Sequence, residues 1–419
     1  MNGVVFTLGC KVNDVESGSI IRGLQDMGFT ISRELTFADF YIINTCAVTG
    51  EAERKSRQTV SKAIKRNPNA KVIVMGCASQ KNAQSFMEKG AFAVLGAQGK
   101  SKVFEIVQSG FDASFAGINL EDDGGRYENM PIPECLKTRN FVKIQDGCNR
   151  FCSYCVIPYL RGRSRSRTLE SAAEEILQSR AFETVVTGID ISEYKDENGK
   201  DLTDLMLAVK DANTRIRLGS MEVSLITPRF LNALKQIKNF APQFHLSLQS
   251  GSNTVLKSMN RHYTREEYLE KCKMIYETFE NAAITTDIIV GFPTETEEDI
   301  LQSISIISEA GFSQIHAFPY SPREGTNAYK RFKELPSAVK KERLDRVLEA
   351  GKTQSEIYKK SFMGKTLTIV PERCVGGISE GYSENYLRVY VQGDIGKEPT
   401  QVCVENIFQD GLLGKIIKK

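Results

Sequence analysis

The sequence predicts an α/β protein in three parts: an N-terminal parallel α/β sandwich, a central partial (β/α)6 TIM-like barrel and a small C-terminal β-barrel. Three observations predict it. Short apolar runs alternate with amphipathic helical patterns through the first two parts, which implies parallel sheets covered by helices. One turn-rich stretch interrupts that alternation. Beyond residue 361 the helical patterns stop and only short strand-like runs remain.

Taken in order, residues 1–110 carry the runs Val4–Leu8, Tyr41–Ile43 and Val72–Met75, with helical periodicity over about Val15–Met27 and Glu51–Lys65. Residues 111–136 include Glu121-Asp-Asp-Gly-Gly and Pro131-Ile-Pro133 and read as a linker. Over 137–360 six strands are expected near Phe141–Ile144, Thr184–Thr187, Ile216–Gly219, Gln243–Leu248, Ile284–Val290 and Gln314–Phe318. Helices fall at Leu169–Gln178, Pro228–Gln236, Arg265–Thr278 and Glu297–Glu309, and a basic amphipathic helix at 337–360 closes the segment. Six β/α units make a barrel that stays open where a full one has two more. The tail, 361–419, offers strands at Thr366–Val370, Tyr386–Val391, Gln401–Val404 and Leu412–Ile417.

The 419 residues exceed one ordinary domain, and 41% apolar with 26% charged residues is a globular composition. No signal-peptide pattern or bilayer-length apolar run is present, so the expected location is cytoplasmic, without a membrane partner. Thiols are reduced there, and the ten cysteines point away from disulfides. Six follow a ligand-like pattern; Cys135, Cys272, Cys374 and Cys403 have no partner spacing and read as structural. A net charge of +3 says little by itself. Residues 137–167, however, carry eight Lys or Arg (Lys137, Arg139, Lys143, Arg150, Arg161, Arg163, Arg165 and Arg167) against Asp146 alone. That is either a solvated basic loop or a surface for a polyanion.

The strongest local signal is Cys148-Asn-Arg-Phe-Cys152-Ser-Tyr-Cys155, directly after an expected strand. Structural zinc takes four protein ligands, and no fourth Cys or His lies nearby. Three thiolates suit a cubane iron–sulfur cluster with one iron open; zinc completed from elsewhere in the chain is the alternative. Polar or glycine residues follow four other strands, in Thr187-Gly-Ile-Asp190, Gly219-Ser-Met-Glu222, Ser247-Leu-Gln249 and Gly291-Phe-Pro-Thr-Glu295. Singly these are ordinary loops, but together they converge on one barrel mouth, which makes Ser220, Glu222 and Gln249 candidate cofactor contacts.

Cys10, Cys46 and Cys77 are far apart in sequence, yet each comes shortly after an expected strand. In a parallel sheet such ends share one edge, where ligands bind. The three are either buried core cysteines or the ligands of a second cluster.

The C-x3-C-x2-C spacing, with Tyr154 before the third cysteine, resembles the signature of the radical S-adenosylmethionine superfamily. By that resemblance Cys148, Cys152 and Cys155 hold a 4Fe-4S cluster whose open iron binds S-adenosylmethionine, and Tyr154 borders its adenine. Along nearly its whole length the chain is similar to the methylthiotransferase family. Leu8-Gly-Cys-Lys-Val-Asn13 with Glu16-Ser17 resembles the branch acting on N6-threonylcarbamoyladenosine in tRNA, as do Gln145-Asp-Gly-Cys148, Ile157-Pro-Tyr, Arg161-Gly and Pro319-Tyr-Ser-Pro-Arg-Glu-Gly-Thr326. The isopentenyladenosine branch typically has Gln-Met-Asn after the first cysteine, and the ribosomal-protein branch Pro-Lys-Asn. Asp14, Arg150 and Asp190 depart from the branch pattern, where Gln, Asn and His are usual.

What this resemblance implies is a tRNA methylthiotransferase with two 4Fe-4S clusters, the auxiliary one on Cys10, Cys46 and Cys77, and a TRAM-like RNA-binding C-terminal domain. One S-adenosylmethionine methylates a sulfur presented by the auxiliary cluster; a second yields the radical that abstracts hydrogen from C2 of the base beside the anticodon. Implied partners are the tRNA anticodon stem-loop, met by Arg161, Arg163, Arg165 and Arg167, and an electron donor such as flavodoxin or ferredoxin. The helix around Lys340–Arg346 is a further phosphate candidate, and Tyr159, Phe318 and Tyr320 are candidates for stacking on the base. The rival readings are a methylthiotransferase acting on N6-isopentenyladenosine in tRNA or on a ribosomal protein, a non-catalytic zinc-stabilised RNA-binding protein, and an iron–sulfur protein serving electron transfer.

Overall fold

The computed structural model describes residues 1–121, 124–134 and 138–417. Cys135, expected to be structural, and Lys137 of the basic segment lie outside the described residues, as does part of the expected linker. The chain forms two compact units. One comprises Met1–Glu134, Lys143–Arg167 and Arg323–Thr326; the other comprises Cys135–Val142, Thr168–Pro322 and Asn327–Lys419.

The first unit is built on a six-stranded parallel sheet in the order β2-β1-β3-β4-β5-β6. Its strands are β1 (Asn2–Thr7), β2 (Thr30–Ser32), β3 (Phe40–Thr45), β4 (Lys71–Gly76), β5 (Ala93–Leu95) and β6 (Gly117–Asn119). A parallel sheet covered on both faces needs continuous apolar runs, and β3 and β4 supply them. Alternate residues divide between two cores. Tyr41, Ile43, Val72 and Val74 pack with Val60 and Ala63 of the helix Gly50–Arg66. Phe40, Ile42, Ile73 and Met75 pack with Ile20 and Leu24 of the helix Lys11–Asp26. The former helix starts at Thr49, whose hydroxyl accepts from the Ala52 N–H at 3.1 Å, and it carries Glu51 and Glu53 in its first turn and Lys65 and Arg66 in its last. β6 arises inside the stretch read as a linker.

The strand β7 (Arg139–Lys143) belongs to a three-stranded sheet, after which the short antiparallel pair β8 (Gln145–Asp146) and β9 (Arg165–Ser166) encloses the cysteine loop. In the second unit β10 (Glu183–Thr187) and β11 (Arg215–Leu218) complete the sheet β11-β10-β7. β12 (Ser220–Met221), β13 (Gln243–Leu246), β14 (Ala283–Val290) and β15 (Gln314–Pro319) follow in chain order as a parallel sheet, and a bridge from Ile216 to Phe240 links the two. All six expected strands are present in this open α/β wall.

Alternation gives the wall two unlike faces. Leu246, Ile284, Ile288 and Ile315 are buried on the helix-covered face. Their neighbours His245, Ser247, Asp287, His316 and Phe318, with Ser220, lie half-buried or exposed on the other. His245 bonds Thr285 Oγ1 at 2.9 Å and Asp287 Oδ2 at 3.1 Å as part of this polar face.

A closed five-stranded barrel ends the unit, in the order β16-β17-β18-β20-β19: β16 (Thr366–Val375), β17 (Ile378–Tyr382), β18 (Arg388–Gln392), β19 (Thr400–Phe408) and β20 (Gly411–Ile416). Leu367, Ile369, Val389, Val402 and Leu412 fill it. Glu183 of β10 is fully buried beneath it, held by Arg139 Nε at 2.6 Å, Arg215 Nε at 2.7 Å and Arg217 Nη2 at 2.8 Å. The same arginines reach barrel backbone: Arg215 donates to Thr368 O and Tyr382 O, and Arg217 to Ser383 O and Glu384 O. Of the cysteines read as structural, Cys272 is buried, but Cys374 is exposed because it lies where β16 runs out toward its hairpin turn. Among the described residues no helix is long and apolar enough to cross a membrane.

Candidate functional site

Three cysteines converge at one edge of the first sheet. β1, β3 and β4 are neighbours, and Cys10, Cys46 and Cys77 follow their carboxyl ends. Local backbone explains the approach. Gly9 has φ +110° and Gly76 φ +108°; a Cβ on the first would stand 2.8 Å from Cys46 Cβ, and on the second 2.5 Å from Thr45 O. The Thr45 hydroxyl donates to Met75 O at 2.7 Å, and the Asn13 side chain donates to Leu8 O at 2.8 Å and Thr45 O at 3.1 Å, tying all three approaches together. Burial pushes the Cys46 thiol up, and the neighbouring Cys77 and Cys10 sulfurs push the same way. Three thiols gathered at one sheet edge suit a cationic metal centre, which holds them as thiolates.

The second cysteine set lies in the loop of residues 147–164, in the same unit. Gln145 is buried and donates to Gly147 O at 2.7 Å and Ser164 Oγ at 2.9 Å, clasping the loop's two ends. Cys148 N–H bonds Gly162 O at 3.2 Å and Cys155 N–H bonds Cys152 O at 3.0 Å. Backbone N–H groups of Arg150 and Ile157 point at the Cys148 and Cys155 sulfurs, each at 3.4 Å. Donors aimed at sulfur fit thiolates that ligate a cluster.

The basic run of the sequence puts Arg161 among the expected RNA contacts, and its position corrects that expectation. It is 1% exposed, and its guanidinium bonds Glu16, Asp146, Asn13 and the Cys77 sulfur. Arg165 is buried as well, donating to Arg161 O at 2.6 Å and pairing with Asp146 at 3.3 Å. Both charges turn inward because two buried carboxylates call for them. Arg163 is exposed, its guanidinium 4.4 Å above the Phe151 ring, which in turn meets the exposed Tyr159 edge-to-face at 5.8 Å. Arg167 is half-buried. Lys340 and Arg343 also turn inward, to Tyr320 O with Glu334 and to Glu295 respectively. Tyr320 is buried against Phe292, whereas Phe318 is exposed.

The buried polar cluster itself is absent from the sequence expectations. Glu16 pairs with Lys100, Lys143 and Arg161, and Asp146 with Lys143, Arg161 and Arg165. Arg161 and both lysines hold the Glu16 carboxyl well below the usual range despite its burial. The available signal is positional: Asn13, Glu16, Ser17, Ile20 and Leu24 recur on one helix face, where a core stripe belongs.

Ser220, Glu222 and Gln249 come from the ends of the adjacent strands β12 and β13 in the second unit. Ser220 is exposed, Glu222 is buried and accepts from Ser224 N–H at 3.1 Å, and Gln249 (φ +68°) joins β14 through its backbone. Tyr154 is half-buried in the cysteine loop of the first unit.

Known protein families match two parts of the chain. Residues 142–307 match the radical SAM superfamily, and residues 3–96 match an uncharacterized protein family, UPF0004. Threonylcarbamoyladenosine tRNA methylthiotransferase MtaB of Bacillus subtilis is 34% identical over 429 residues, covering 98% of this chain and 92% of that one. The tRNA-2-methylthio-N(6)-dimethylallyladenosine synthase of Thermosipho africanus is 33% identical over 433 residues and covers both chains fully (100% each). Among solved structures, the radical S-adenosylmethionine methyltransferase TsrM of Kitasatospora setae superposes with a TM-score of 0.57 at 14% identity, over 77% of this chain and 76% of that one. That likeness concerns the fold.

Proposed function

The chain belongs to the methylthiotransferase family of radical S-adenosylmethionine enzymes, and on that premise we propose that it installs a methylthio group at C2 of N6-threonylcarbamoyladenosine beside the anticodon of tRNA. The observation that carries the choice of base is the Lys11-Val12-Asn13 run after Cys10, together with the threonylcarbamoyl-specific relatives. Asn13 clamps the cysteine approaches, a structural duty that any branch needs, so positions 11 and 12 are the discriminating ones. The dimethylallyl relatives, at similar identity, support isopentenyladenosine as the second reading.

Enzymes of this family use two 4Fe-4S clusters and S-adenosylmethionine, and the donor sets fit: Cys10, Cys46 and Cys77 for the auxiliary cluster, Cys148, Cys152 and Cys155 for the other. When bound, these groups supply one-electron cleavage of S-adenosylmethionine and the sulfur the base receives. A purine C2–H is neither acidic nor next to a leaving group, so proton transfer alone does not open it. The chain's own task is therefore placement. Gln145 closes the cysteine loop, backbone N–H groups steady two of its sulfurs, and Tyr154, Ser220, Glu222 and Gln249 are assigned to the cofactor. Arg163, Arg167 and Tyr159 are assigned to the anticodon loop, whose unpaired bases suit stacking. Residues 1–110 serve as the auxiliary-cluster domain, 137–360 as the radical domain and 361–419 as the RNA-binding barrel. A low-potential one-electron donor such as flavodoxin or ferredoxin, in the cytoplasm, completes the cycle.

Deleting the gene and analysing digested tRNA nucleosides by mass spectrometry tests this. Loss of 2-methylthio-N6-threonylcarbamoyladenosine with its precursor accumulating, restored by the wild-type gene and not by Cys152→Ala, is the expected result. Loss of the isopentenyl product instead selects the second reading, and unchanged nucleosides refute both.

A further inference from the structure

We propose that Arg161 is a positioning residue for the cluster assigned to Cys10, Cys46 and Cys77: it presents an N–H to the Cys77 sulfur and fixes positive charge beside it, favouring the cluster's reduced, more anionic form. The proposal rests on the assignment of those cysteines as ligands. A guanidinium has five N–H donors in a rigid plane. In this chain all five have partners. Nε donates to Cys77 Sγ at 3.3 Å; Nη1 donates to Glu16 Oε1 and Asp146 Oδ1, both at 2.9 Å; Nη2 donates to Asn13 Oδ1 at 2.7 Å and Glu16 Oε2 at 3.3 Å. Four oxygen contacts lock the plane, and the fifth donor is thereby aimed at sulfur.

Charge argues the same way. Arg161 is buried and pairs with Glu16 and Asp146, and the Cys77 sulfur lies against the same guanidinium. A buried guanidinium favours negative charge beside it. A cluster on three thiolates is such a charge, and Cys77 is where Nε points. Hydrogen bonds to cluster sulfurs and nearby positive charge raise a cluster's reduction potential. Arg161 also stands at the end of the helix Ile157–Arg161, just beyond the Cys148–Cys155 loop, so one short segment carries one cysteine set and touches the other.

The test uses the full chain with Cys148, Cys152 and Cys155 replaced by Ala, reconstituted anaerobically with iron and sulfide. Iron content, thermal melting and a redox titration followed by electron paramagnetic resonance are measured for Arg161, Arg161→Lys and Arg161→Gln. Lysine keeps the charge but not the planar donor; glutamine keeps neither. Expected is retained iron with a reduced-to-oxidised ratio at fixed potential at least tenfold lower in Arg161→Gln, about 59 mV for one electron, and a smaller drop in Arg161→Lys. Loss of iron with unchanged melting also supports the proposal. Retained iron with superimposable titrations overturns it, as does iron loss with lowered melting in both variants, which makes Arg161 a fold brace. If the Arg161 parent itself takes up no iron, the ligand assignment has failed, and the proposal falls with it.

Discussion

Glu183→Gln isolates the energetics of the second unit. The carboxylate is fully buried, and guanidinium groups of Arg139, Arg215 and Arg217 converge on it. The neutral amide keeps the shape, removes the charge and takes this anion from three arginines, of which Arg139 keeps Glu372 at 2.9 Å. Losing one partner of a buried ionic group costs about 3–5 kcal/mol. A second route to the magnitude agrees. Although burial opposes ionisation, Arg217, Arg215 and Arg139 hold the carboxyl down at about 2, against 4.5 ordinarily. That difference is worth about 3 kcal/mol of stability at neutral pH. Its sign follows from the direction: the folded value lies below the unfolded one, so the contribution is complete above roughly 4.5 and is lost as pH falls through about 2. Denaturant unfolding of wild type and variant, followed by hydrogen exchange in residues 366–392, should show a gap of about 3 kcal/mol at pH 7 that roughly halves by pH 3. Exchange should rise first in β16 and β17, whose carbonyls the same arginines hold. A gap that does not change with pH, or barrel amides protected as in wild type, would refute this account.

Other consequences are checkable with the same protein. Cys46→Ala should lower iron per reconstituted chain by about half, since the other cysteine set is untouched. Gly9→Ala should have the same effect on iron, because its Cβ would stand 2.8 Å from Cys46 Cβ at a φ that costs a side chain about 1–3 kcal/mol. Arg163→Ala should weaken tRNA binding and reduce the slope of log affinity against log salt by about one. Arg165→Ala should instead lower the melting temperature and leave that slope alone, because its charge faces Asp146.

Much of this architecture is legible in the sequence because it is periodic. The six wall strands and the helices Arg265–Thr278 and Glu297–Glu309 lie where alternation puts them. β2, β5 and β6 leave no such trace because three residues cannot display a period. β17 is hidden because Ile378-Ser-Glu-Gly-Tyr382, between Gly377 and Ser383, carries turn-forming residues and gets its strand conformation from its barrel neighbours. The cysteine sets are visible through chemistry and strand position. Arg161 misleads because a basic run looks the same whether it faces phosphate or a buried carboxylate. Only the chain's return to the first unit brings Glu16 within reach, and no local pattern encodes a pairing 145 residues apart.

The two-faced wall has an evolutionary consequence. On β13, β14 and β15 several residues that build the core are followed by one that is less buried: Leu246 by Ser247, Ile288 by Ile289, Ile315 by His316. If the open face receives the cofactor and the base, as proposed, substitutions in one register are tested by folding and those in the other by what the molecule binds. The open register can therefore drift from one substrate to another through single steps while the covered register holds the scaffold still, a division of labour written into every second letter of the strands.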